Sequence, residues 1–94
     1  MAEESKIEKK FKKVMEDAGW KALKLSCPGF DGMPDRMVLK TDGQIFFAEI
    51  KAPGEKPRPL QRLRHVMLSN RGFRVYLVDS MDSIWSVWRA ENEL

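Results

Sequence analysis

A chain of 94 residues, 43% hydrophobic and 33% charged, has the make-up of one soluble globular domain spanning residues 1–94, too small to bury much apolar surface by itself. One cysteine, Cys27, and one histidine, His65, exclude an intramolecular disulfide and a Cys/His zinc site, so any metal would take oxygen ligands. No stretch approaches the length needed to span a bilayer, no basic segment followed by an apolar run opens the chain, and no repeat or low-complexity tract interrupts it; a cytoplasmic protein without a membrane role is expected.

In chain order, Ile7, Phe11, Val14, Met15 and Ala18 recur at helical spacing from Lys6 to Ala18, and Gly19 supplies a stop. Trp20 to Cys27 alternates well enough for a first strand ending at Pro28-Gly29. Asp35–Lys40 and Gln44–Lys51 are rich in β-branched, aromatic and aliphatic residues and flank Thr41-Asp42-Gly43, which predicts a hairpin. Ala52–Pro59 holds three prolines and a glycine and reads as a loop. Leu60, Leu63, Val66 and Met67 then mark a second helix over Leu60–Asn70, Phe73–Val78 a fourth strand, and Met81, Ile84, Trp85 and Trp88 a short C-terminal helix. The order helix, three strands, helix, strand, helix predicts an α/β fold with a mixed four-stranded sheet flanked by helices, its crossover right-handed.

The chemistry concentrates in the hairpin. Glu49 and Lys51 lie two apart on a strand and share a face, while Ile50 points to the other. Whether Asp35 joins them depends on register. A two-residue Asp42-Gly43 loop would set Asp35 opposite Ile50, on the wrong face; a three-residue loop with a left-handed Gly43 would pair Lys40 with Gln44 and set Asp35 across from Glu49. The second register is expected, with Met37 across from Phe47 and Leu39 across from Ile45. Two opposed carboxylates repel unless a cation lies between them, and magnesium takes one or two carboxylates together with water and phosphate. The implied reaction is phosphodiester hydrolysis, with metal-bound water as nucleophile and lysine orienting it or stabilising the transition state. Two basic clusters, Lys9, Lys10, Lys12 and Lys13, then Lys51, Lys56, Arg58, Arg62 and Arg64, suit phosphate contacts, although a lysine-rich helix face is more often just a solvated surface.

Gly32-Met33-Pro34-Asp35, thirteen residues, then Glu49-Ile50-Lys51 resembles the PD-(D/E)XK arrangement. With Ser26-Cys27-Pro28-Gly29, Phe46 to Gly54, Pro59-Leu60-Gln61 and Phe73-Arg74-Val75-Tyr76, nearly the whole chain is similar to a stand-alone VRR-NUC domain. The resemblance implies a restriction-endonuclease-like core and a Mg2+- or Mn2+-dependent DNA endonuclease. In it Asp35, Glu49 and the Ile50 backbone carbonyl would bind metal, Lys51 would activate or position the water, and Gln61 would support the site. It also implies a homodimer resembling Holliday-junction resolvases, acting on branched DNA. The alternative is a non-catalytic nucleic-acid-binding module of the same fold. Glu8 matches the first-helix glutamate that often adds a metal contact in such proteins, but Ser5-x-x-Glu8 equally reads as a capping box, and Glu4 is a rival. Asp31 stands where a basic or polar residue would suit DNA contact. His65 reads as a surface helix residue and Trp20 as strand core.

Overall fold

In the computed structural model, which describes residues 2–94, helix α1 (Ala2–Asp17) turns its Ile7, Phe11, Val14 and Met15 face onto a sheet, with Trp20 closing the turn into β1 (Lys21–Lys24). Strands β2 (Arg36–Leu39) and β3 (Ile45–Ile50) form the hairpin, helix α2 (Pro59–Asn70) crosses to β4 (Arg74–Val78), and helix α3 (Met81–Asn92) ends the chain. The sheet runs β1-β2-β3-β4, antiparallel in the first two pairings and parallel between β3 and β4, as the element order predicts. The first strand is shorter than its sequence signal, because the chain leaves the sheet after Lys24 to form the Pro28-Gly29 loop.

The hairpin register is the one the three-residue turn demands. Met37 faces Phe47 and Leu39 faces Ile45, and the Lys40 N–H donates to the Gln44 carbonyl at 2.9 Å. Gly43, at φ +86°, returns its N–H to the Lys40 carbonyl at 3.2 Å, a left-handed conformation that costs glycine nothing. Asp42 Oδ1 accepts the Gln44 N–H at 3.1 Å and stiffens the turn.

The two sheet faces differ in kind. Val38, Phe46, Ala48, Ile50 and Val78 pack against α1 and against Ile84 and Val87 of α3, with Phe46 edge-on to both Trp20 and Tyr76. Each large side chain buried here contributes roughly 1.5–3 kcal/mol of transfer free energy. The opposite face carries Phe47, packed edge-on against Phe73, then Glu49, under α2. The second helix differs from its sequence signal in orientation: Leu60, Leu63 and Val66 are exposed, while Gln61 and Leu68 are buried. The apolar spacing marks the helix correctly but labels its outer side, because the side turned to the sheet has polar work at Glu49.

Beside the hairpin tip, Glu91 of α3 is only 1% exposed and accepts from Arg74 Nε (2.6 Å), Arg74 Nη2 (2.8 Å), Tyr76 Oη (2.6 Å) and Lys40 Nζ (3.2 Å). Burial alone would raise this carboxyl, but the hydrogen bonds from Arg74, Tyr76 and Lys40 outweigh it and hold the group below its ordinary range. Burial and the bond to Glu91 push the Tyr76 phenol up to about 12. The cluster locks α3 to β2 and β4 at the end of the sheet away from the hairpin's acids.

Candidate active site

Asp35 sits where β2 begins, one step beyond the paired residues, and the observed register continued by that step sets it across from Glu49. The ladder would next pair Ile50 with Pro34, and proline has no N–H to give. No donor from Pro34 therefore reaches the Ile50 carbonyl, and, separately, the Ile50 N–H is taken by Asp35 Oδ2 at 2.8 Å, which fixes that carboxylate at the strand end.

Glu49 is 1% exposed, yet its surroundings differ from those of Glu91. Burial and the adjacent Asp35 carboxylate push its pKa up to about 8, Lys51 opposing them only in part. In the metal-free protein Glu49 therefore keeps its proton near neutrality, facing the Asp35 carboxyl. Lys51 Nζ stands 3.7 Å from Glu49 Oε2, its side chain 14% exposed on the same face, as strand alternation requires. From α2, Gln61 Nε2 donates to Glu49 Oε2 at 3.0 Å, and its own carbonyl accepts the Arg58 N–H at 2.8 Å. The first turn of α2 is thus tied to the acid pair by one side chain that also caps the helix.

The structure brings Asp35, Glu49, the Ile50 backbone, Lys51 and Gln61 together. Glu8 lies elsewhere: its Oε2 is 2.9 Å from Arg36 Nε and 3.8 Å from Lys24 Nζ. Since α1 already runs from Ala2, Ser5 lies inside the helix and the capping-box reading of Ser5 and Glu8 does not hold. Among α1 acids it is Glu4 whose charge adds to the rise at Glu49. His65, read from sequence as a surface residue, is instead largely covered, with Nε2 3.4 Å from Glu49 Oε1. Burial, then Lys51, lowers its pKa. The missed signal was spacing, because His65 follows Gln61 by four and shares its helix face.

Among the described residues no group of three or more His, Cys, Asp and Glu converges as a metal cage. The donor set present still fits a hard cation: two facing carboxylates holding a proton that a divalent ion would replace, beside a backbone carbonyl that Pro34 leaves without its ladder donor. Magnesium uses few protein ligands of this kind and completes its shell with water and phosphate.

No family model matches this chain. A curated protein named "Putative nuclease p44", from Acyrthosiphon pisum secondary endosymbiont phage 1, is 43% identical over 79 residues, covering 84% of this chain and 85% of that protein. A solved structure described as "VRR_NUC domain" superposes with a TM-score of 0.88 at 32% identity, over 93% of this chain and 95% of that one.

Proposed function

The chain belongs to the VRR_NUC domain family, and from that premise we propose that it is a metal-dependent endonuclease that hydrolyses DNA phosphodiester bonds, with a preference for branched DNA. The observation that carries the reading is the acid pair, buried Glu49 opposite half-buried Asp35, with Lys51 and Gln61 on the Glu49 carboxylate. A protein gains nothing in stability from opposing two acids so, and the arrangement suits a cation and a phosphate.

Asp35, Glu49 and the Ile50 carbonyl would hold Mg2+ or Mn2+, which when bound lowers the pKa of its water and offsets charge on the phosphate. The chain's own groups do the rest. The Ile50 N–H holds Asp35 in place, and Gln61 fixes the Glu49 rotamer. The Lys51 ammonium donates to the attacking water or to the phosphate oxygen that gains charge as the P–O bond breaks. His65 covers the outer side of Glu49 and keeps bulk water from it. Glu8, paired with Arg36, is left to orient α1 on the hairpin. Two copies acting together would suit a branched substrate, and Leu63 and Val66 on the outer side of α2 offer apolar area for association to cover.

The test is cleavage of labelled four-way junction, flap, duplex and single-stranded DNA with Mg2+, Mn2+ or chelator, with sedimentation giving the oligomeric state. Metal-dependent cutting that favours branched DNA is expected. Binding without cutting under every condition would leave a nucleic-acid-binding module in place of the enzyme.

A further inference from the structure

The loop from Leu25 to Asp35 delivers the first acid, but it also exposes an aromatic ring beside it in sequence. Phe30 is 41% exposed, and Arg64 of α2 covers one side of its ring, the guanidinium carbon 3.8 Å from the ring centroid. Arg64 is itself fixed, its Nε donating to the Asp31 carbonyl at 2.7 Å. Gly32 lets the loop seat against α2: at φ +90°, any Cβ there would stand 2.8 Å from Leu60 Cγ and 3.2 Å from the Leu60 carbonyl. Loop and helix start therefore form one stiff corner, with a flat ring held out from it.

The two residues that follow Phe30 line a cleft of about 420 Å³ together with Arg58, Pro59 and Leu60 of the α2 start. The residue after Leu60 is Gln61, whose amide reaches Glu49, so the helix start that lines the cleft on its outer side contacts the acid pair on its inner side. Lys56, Arg58 and Arg62 are exposed along the approach, a positive rim against a polyanion, whereas the Asp31 carboxylate inside would repel phosphate and accept from a base N–H.

We infer that Phe30, held by Arg64, is a stacking platform for an unstacked base of branched DNA, seated in the cleft between Asp31 and Arg58 and selecting branched over plain duplex substrate. The inference rests on the endonuclease reading above and names how its substrate is chosen. Aromatic faces accept any base, and the guanidinium on the inner side of the ring adds to the stack. Leaving the duplex is least costly for a base that is already unpaired, so the platform favours flaps and branch points.

Binding is measured by fluorescence anisotropy in chelator, so that no cutting intervenes, with a flap DNA carrying unpaired cytosines at the branch and a plain duplex of equal length. The wild type should prefer the flap. Phe30→Ala and Phe30→Leu should each weaken flap binding about tenfold and leave duplex binding unchanged, while Phe30→Trp retains it. Because Phe30→Leu keeps apolar packing and loses only the aromatic face, it separates stacking from folding. Equal flap and duplex affinity in the wild type, unchanged flap binding in Phe30→Leu, or equal losses on both DNAs would overturn the platform. Absence of cutting by the wild type in Mg2+ would instead overturn the nuclease reading, and the binding comparison would still decide the platform.

Discussion

Two glutamates of this chain are equally hidden, each 1% exposed, and their environments are opposite. Glu91 meets two cations and a phenol, and its carboxyl is held below the ordinary range. Glu49 meets a second carboxylate, an amide and a covered histidine with one lysine at 3.7 Å, and its pKa rises to about 8. A buried charge that is answered within the chain fixes structure. One that is left unanswered at the end of a central strand is waiting for something the chain does not supply.

The largest effect expected is at the answered site. Glu91→Ala leaves Lys40, with a 5% exposed side chain, and Arg74 beside it without their counter-charge, only the residue 91 carbonyl and the Gln44 amide still accepting from them. Urea denaturation should show a loss of about 3–5 kcal/mol, the cost of breaking a buried pair from one side. Activity per folded molecule should be unchanged. The unanswered site should behave in reverse: Lys51→Ala should lower kcat by about 10²–10³-fold, as loss of a preorganised transition-state group does, with little change in denaturation midpoint. A Lys51→Ala protein that unfolds as readily as Glu91→Ala would erase the distinction.

Gln61 belongs to both kinds at once, since one end of its amide serves Glu49 and the other the Arg58 N–H. Gln61→Ala should weaken Mn2+ binding about 10–100-fold in calorimetric titration, the usual cost of losing a group that orients a ligand. The lost cap adds about 1 kcal/mol of destabilisation. Affinity unchanged by the substitution would reduce Gln61 to a helix cap.

The acid pair was legible because turn chemistry and strand alternation are local rules: Gly43 fixes the turn, the turn fixes the register, and the register sets Asp35 across from Glu49. What stayed hidden depends on tertiary placement. Leu60, Leu63 and Val66 mark α2 by their spacing yet are exposed, and His65, expected at the surface, turns inward with Gln61 because Glu49 lies beneath them. The Glu91 cluster joins Lys40, Arg74, Tyr76 and Glu91, and no spacing rule links a turn residue, an edge strand and a C-terminal helix. Glu8 was ambiguous for the same reason, since Arg36, its partner, is 28 positions away.

The remaining effect is a slope, small per pH unit, and it tests the comparison most directly. In chelator, folded Glu49 holds its proton up to about 8 whereas the unfolded chain releases it near 4.5. Between these values the folded state binds more protons, so the metal-free protein loses stability as pH rises, by at most about 1.4 kcal/mol per pH unit. Glu91 contributes the opposite sign, because its lowered carboxyl favours folding above the ordinary carboxylate range and that favour is lost as pH falls through its folded value. Glu49→Gln removes the first slope and keeps the second, so the variant should overtake the wild type in denaturation midpoint between pH 6 and pH 8. Saturating Mn2+ should remove the same slope from the wild type, since a bound cation takes the place of the Glu49 proton. A constant difference between wild type and Glu49→Gln across that range would mean that Glu49 does not hold its proton there, and the case for a cation between the two acids would lose its physical basis.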